Sequence, residues 1–162
     1  GLKVFHEGLL SVFGETIKPK TFDLHLKEID RGELTSDDWK IIVEPVQHSL
    51  HSIGFRIESL EGKTLTYSGD TDYCAGLLRL ARKVNTLILE CSFPDDQKVE
   101  GHLTPRLCAQ IASESQCDRL VMSHVYPVCD ASGKNTNDVL DELKNIYKGE
   151  IVFAEDFARF TI

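Results

Sequence analysis

The chain has 162 residues, with 41% hydrophobic and 27% charged side chains and a formal net charge of −8. That apolar content offsets the ordering entropy of folding, which excludes intrinsic disorder, and the length suits one domain of the usual ~100–200 residues. No apolar run approaches the ~20 residues of a membrane-spanning helix, and the acidic balance argues against general charge-driven binding to nucleic acid.

Leu2, Phe5, Leu9 and Phe13 share one helical face and Gly14 supplies a stop, which predicts a helix over 2–13. Phe22, Leu24 and Leu26 alternate with polar neighbours, as in a half-buried strand. Trp39 to Val46 reads as a second strand, with Pro45 placing its end near an edge or a bulge. Ile53 to Ser59 and Thr64 to Ser68 flank the turn signal Leu60-Glu61-Gly62-Lys63 and predict a hairpin. Strands and helices then alternate. A helix over 74–81 precedes a strand over 86–91, and Thr104-Pro105 opens a helix running to about Ser115. A buried strand over 120–123 and a helix over 137–147, with Val139, Leu140, Leu143 and Ile146 inward, follow. Short strands over 150–154 and 158–162 close the chain. The order predicts a mixed α/β (α+β) domain, without internal repeats.

Three of the apolar strands run into reactive residues. Ile41 to Val46 leads to Gln47-His48, Leu65 to Ser68 leads to Gly69-Asp70-Thr71-Asp72, and Leu120 to Ser123 leads to His124. Ligands of α/β sheets gather at the carboxyl ends of strands, and one Asp with two His suits a divalent metal. The long polar loop from Ser92 to Leu103 brings Gly101-His102 to a helix start. Each feature alone has a plainer reading, as a turn or a hydrogen-bonded histidine, so the residues by themselves reach only a possible metal site. On a strand His48 and His51 would point to opposite faces and share no metal. His6 and His25 read as structural or solvated, and Asp95-Asp96 as a turn. The five cysteines, an odd count without CxxC spacing, read as free, mostly buried thiols of a cytoplasmic protein.

Several of these segments resemble the ribonuclease Z-like hydrolases of the metallo-β-lactamase fold. His48-Ser49-Leu50-His51-Ser52-Ile53-Gly54-Phe55-Arg56-Ile57-Glu58 is similar to the family's His…Gly-Tyr-Arg-Ile segment, and Tyr67-Ser68-Gly69-Asp70-Thr71 to its Gly-Asp-Thr motif. Glu90-Cys91-Ser92-Phe93, Gly101-His102-Leu103-Thr104 and Ser123-His124-Val125-Tyr126 resemble its Glu-Ala-Thr-Phe, Gly-His-Ser/Leu-Thr and Thr-His-Phe-Ser segments. The resemblance covers essentially the whole chain in order. It implies an αββα sandwich and a two-zinc site, with manganese possible. In that site His48 binds one ion, Asp70 bridges both, His124 binds the other and His102 donates a proton to the leaving group. The implied activity is phosphodiester cleavage by metal-activated water.

Two departures qualify it. The family's His-x-His-x-Asp-His motif, which supplies the remaining ligands and a catalytic Asp, is absent. The expectation is therefore a single, incomplete domain over 1–162, the C-terminal half of a larger sandwich, holding a partial metal site. Such a half would self-associate or bind an N-terminal half through an exposed sheet face. In addition, the long tRNA-gripping arm of ribonuclease Z is replaced by the tight hairpin around Gly62. With the charge of −8, this leaves another ester substrate as an alternative to RNA or tRNA; no membrane partner is expected. Rival readings are an aspartyl phosphatase built on Asp70-Thr71-Asp72 and a non-catalytic remnant that serves as an interaction module.

Overall fold

A computed structural model describes residues 1–131 and 136–162. Helix α1 (Leu2–Phe13) passes through a 3-10 turn into an irregular stretch. Strands β1 (Gly32–Thr35), β2 (Trp39–Pro45), β3 (Ile53–Ser59) and β4 (Thr64–Tyr67) then form an antiparallel meander. From β4 the chain changes habit. Helix α2 (Ala75–Ala81) leads to β5 (Thr86–Glu90), α3 (Pro105–Ser115) to β6 (Arg119–Ser123), and α4 (Pro127–Ala131) and α5 (Thr136–Leu143) to β7 (Glu150–Phe153). These last strands pair in parallel, and the described residues form one seven-stranded sheet in chain order. Parallel neighbours need crossovers, and α2, α3 and α5 supply them.

The crossover helices cover one face of the sheet. Leu87 and Leu89 of β5 and Leu120 and Met122 of β6 pack there with Leu77, Ile111, Ala112 and Leu143, all essentially removed from solvent. Thr66 Oγ1 and Arg56 Nη1 both donate to the Leu80 carbonyl at the end of α2, at 2.7 and 3.0 Å, which ties helix to sheet. Tyr147 donates to the Cys117 carbonyl at 2.8 Å and fixes the turn after α5 against the entry to β6. Burial pushes the Cys108 and Cys117 thiols up, so these cysteines act as small apolar fillers.

The register places a second apolar row on the opposite face: Val43, Phe55, Tyr67, Ile88, Val121 and Val152 face one another across six strands. Val43 and Val121 are buried, whereas Tyr67 in mid-row keeps 46% of its surface. Helix α1 has its expected span but buries no residue. Val4 and Phe5 stay 71% and 64% exposed, because the helix packs mainly against the turn that follows it.

Two expectations need correction. Residues 22–26 form no strand, since no neighbouring strand offers them a ladder, and Phe22 remains 66% exposed. The first strand is Gly32–Thr35 instead, too short and polar to announce itself. Residues 158–162 also form no strand; the Thr161 carbonyl accepts from Arg119 at 3.0 Å rather than from a sheet edge. Pro45 is tolerated because β1 pairs with β2 only as far as Val43, so the end of β2 has no outer neighbour.

Glu44, at the end of β2, accepts from Arg79 at 2.7 Å and Arg31 at 2.8 Å. The Arg79 bond chiefly, opposed by burial and helped by Arg31, holds its carboxyl below the usual range. A lowered folded value means that its stabilisation is complete above the unfolded glutamate value of about 4.3 and is lost as pH falls through the folded value. The melting-temperature gap between the parent chain and Glu44→Gln should therefore be widest near neutrality and close below about pH 4. Leu87→Ala should lower the urea-derived unfolding free energy by about 2–5 kcal/mol, since Leu87 is fully buried against α2 and α3.

Candidate functional site

Strands β2, β4, β5 and β6 all point the same way, because β3 reverses direction between β2 and β4 and the later strands are parallel. Their carboxyl ends share one edge of the sheet. His48 lies in the turn after β2, Asp70 beyond β4, Glu90 at the last position of β5 and His124 just after β6. The direction of the chain alone gathers residues far apart in sequence.

Asp70 stands between the two histidines. His124 Nε2 lies 3.5 Å from Asp70 Oδ1 and His48 Nε2 lies 4.0 Å from Asp70 Oδ2. Each ring faces a different oxygen of the same carboxylate across a gap too long for a good hydrogen bond. Metal–nitrogen and metal–oxygen bonds of about 2.0–2.2 Å could span either gap with one ion. His48 Nδ1 sits 3.1 Å from the Gly101 carbonyl, an acceptor, which assigns the proton to Nδ1 and leaves the Nε2 lone pair toward Asp70. The donor types and the tautomer thus fit a divalent metal. The number does not fill a shell: among the described residues no three His, Cys, Asp or Glu side chains group to hold one ion.

Glu90 is a residue that the sequence reading left without a role. Its side chain is 2% exposed. Oε1 accepts from the Thr71 N–H at 3.1 Å, and Oε2 accepts from the Ser92 N–H at 3.0 Å and its hydroxyl at 2.8 Å. His102 Nδ1 lies 3.0 Å from Oε1, in the donor position left over, so Glu90 orients His102. The signal in the sequence was a glutamate ending the apolar run Thr86-Leu87-Ile88-Leu89, since a buried carboxylate must be paired.

Aromatic rings complete the edge. The His102 ring meets His48 edge-on at 4.8 Å between centroids and Phe93 at 5.3 Å. Tyr126 meets Phe93 at 5.0 Å and His124 at 5.1 Å. The loop from 92 to 103 is tied at both ends: the Leu103 carbonyl accepts from the Phe93 N–H at 3.5 Å, and Asp95 Oδ1 accepts the Arg106 N–H at 3.1 Å. Asp95 thereby caps α3, for which Thr104 provides no side-chain bond.

Asp72 has partners of its own, distinct from those of Asp70. It accepts from Lys98 Nζ at 2.6 Å, the Tyr73 N–H at 2.8 Å and the Gly101 N–H at 3.1 Å. Burial opposes its ionisation, but these bonds prevail and hold the carboxyl below its usual range. The pairing of Asp70 with Asp72 that an aspartyl phosphatase would use is therefore not formed. His51, in a turn rather than a strand, is 78% exposed and lies 3.8 Å from Asp30, away from the site. Two backbone positions carry strain or freedom here: His124 has φ 57°, sparsely populated for a residue with a side chain, and Gly69 has φ 61°. Both turn the chain at a strand end and bring Asp70 opposite His124.

Comparison with known proteins gives a consistent result. The model of the beta-lactamase superfamily domain matches residues 6–125. The uncharacterized protein Rv1339 of Mycobacterium tuberculosis is 30% identical over 132 residues, covering 80% of this chain and 46% of that protein. Ribonuclease Z of Bacillus licheniformis is 25% identical, covering 97% of this chain and 67% of the relative. Among solved structures, the metallo-beta-lactamase fold protein YhfI from Bacillus subtilis superposes with a TM-score of 0.72 at 22% identity, covering 87% of this chain and 57% of that one. The chain thus spans about half the length of the mycobacterial relative it matches.

Glu90→Gln should cost about 1–3 kcal/mol in a urea titration, because an amide group would meet donors on every side. The same substitution should release His102, visible as a change in its imidazole ¹⁵N shifts.

Proposed function

The chain belongs to the beta-lactamase superfamily, and from that premise we propose that it carries one half of a metal-dependent hydrolase site that cleaves phosphodiesters. One observation carries the reading: a single carboxylate, Asp70, faces an imidazole Nε2 on each side, beside a histidine held by a buried glutamate. In this reading His48 and Asp70 would hold one ion, and Asp70 and His124 the other; zinc suits the imidazole and carboxylate donors, with manganese as the alternative. When bound, such a pair of ions lowers the pKa of water and stabilises charge on an ester oxygen.

The remaining work falls to this chain's own groups. Asp70 offers two oxygens, which an imidazole cannot, and so keeps the two histidines in fixed relation. His102 touches neither Asp70 nor an ion in this scheme; Glu90 on its Nδ1 leaves Nε2 to give a proton to the leaving oxygen. The rings of Phe93 and Tyr126 limit water around His102. The remaining ligands would come from a further part of the protein, in keeping with the length of the relatives, and the sandwich would close on the Val43–Val152 row. The buried thiols of Cys91, Cys108 and Cys117 suit a reducing cytoplasm, and among the described residues no helix is long and apolar enough to cross a membrane.

Relatives named ribonuclease Z support a phosphodiester substrate. A tight four-residue hairpin, Leu60 to Lys63, and a net charge of −8 favour a substrate other than tRNA, either a smaller phosphodiester or another ester. In the natural full-length protein, His48→Ala, Asp70→Ala and His124→Ala should each lower bound metal by mass spectrometry and abolish hydrolysis of bis(p-nitrophenyl) phosphate. His102→Ala should retain the metal and lose about 10²–10⁴-fold in turnover. Unchanged metal content in the first three variants would refute the assignment.

A further inference from the structure

We infer that Asp72 is a positioning residue, which sets the ring of His48 and the place of His102 by gripping the backbone of both their segments; this rests on the metal-site reading above. Three segments of the site meet at residue 72. Its own N–H donates to the Gln47 carbonyl at 2.6 Å, next to His48, while the Gln47 N–H donates to Thr71 Oγ1 at 3.2 Å. Its side chain accepts the Gly101 N–H at 3.1 Å, next to His102. The Gly101 carbonyl in turn lies 3.1 Å from His48 Nδ1.

Residue 101 is thus held from one side by Asp72 and holds His48 from the other. Gly101 has φ 85°, and a Cβ there would stand 3.1 Å from His48 Nδ1. The loop is built for this close approach, and only a residue without a side chain adopts that backbone at no cost. Lys98 Nζ bridges Asp72 Oδ2 at 2.6 Å and the Val99 carbonyl at 3.0 Å, so it tightens the same loop turn. An acceptor placed on the far nitrogen fixes a ligand histidine's tautomer and orientation, and loss of such a partner typically costs about 10–100-fold in metal affinity. Here that acceptor is a backbone carbonyl on a loop, and Asp72 keeps it in place. The Asp72 grip also gives the second aspartate of Asp70-Thr71-Asp72 a task separate from the first.

The test compares the natural full-length protein with its Asp72→Ala, Asp72→Asn and Lys98→Met variants. In Asp72→Ala the Gly101 amide should exchange with solvent at least ~10-fold faster, and the His48 ¹⁵N shifts should move from the Nδ1–H form to a tautomer mixture. Amides of Leu87 and Leu89 should keep their protection, which shows that the sheet is intact. Added zinc should bind about 10–100-fold more weakly. Asp72→Asn keeps a carbonyl acceptor and should restore part of the His48 signal; it is the variant to read if Asp72→Ala does not fold. Lys98→Met should loosen Gly101 less than Asp72→Ala does. Unchanged His48 shifts in Asp72→Ala, or an equal effect in Lys98→Met, would overturn the inference. A full-length parent that takes up no zinc would count against the metal-site reading, while the exchange and ¹⁵N signals would still decide the role of Asp72.

Discussion

The site depends on one buried carboxylate. Glu90 ends a strand that is otherwise apolar, and leaving it there without partners would cost several kcal/mol. The molecule meets that constraint with donors from three places: the turn after β4 through Thr71, the chain just beyond β5 through Ser92, and the loop before α3 through His102. Each donor brings a neighbour with it. Thr71 brings Asp70, and the loop of His102 brings Gly101 and thus His48. Satisfying a single buried group therefore organises most of the polar edge, and among the described residues no buried side-chain nitrogen or oxygen lacks a partner.

The sheet makes that economy possible. Antiparallel strands alternate in direction, so β2 and β4 end together only because β3 lies between them. Parallel strands end together by construction, which adds β5 and β6. The switch from meander to crossover at β4 places the Asp70 turn near the middle of the edge, with a histidine-bearing turn on either side. Helices on one face then leave the other to a row of apolar side chains, so the edge is supported from one side and approachable from the other.

Much of this was legible in the sequence. Apolar runs of strand length located β2 to β7, and Thr104-Pro105 marked the start of α3 to the residue. Strand ends with reactive residues pointed to His48, Asp70 and His124, which the structure brings to one edge. The failures have physical causes. Alternation in Phe22-Asp23-Leu24 reads as a strand only if a neighbour exists to pair with it, and pairing is not a local property. Four residues of β1, two of them Gly and Glu, carry no pattern at all. The apolar face of α1 was real, but nothing in periodicity says whether its partner lies within the same chain. Glu90 was passed over, and Asp72 was read only as part of a rival phosphatase motif, because their partners include groups distant in sequence.

The spread of the site along the chain has a thermodynamic consequence. His48 and His124 belong to segments separated by most of the sheet, with β3, β4, β5 and β6 between them. Closing so long a loop costs entropy that only the assembled sheet repays, so the constellation does not exist in any locally folded piece. Whatever binds between these residues binds the whole sheet and stabilises it by mass action, as a ligand of the native state alone. Occupancy and global folding are for this chain linked equilibria, and the site serves as a reporter of the fold's integrity.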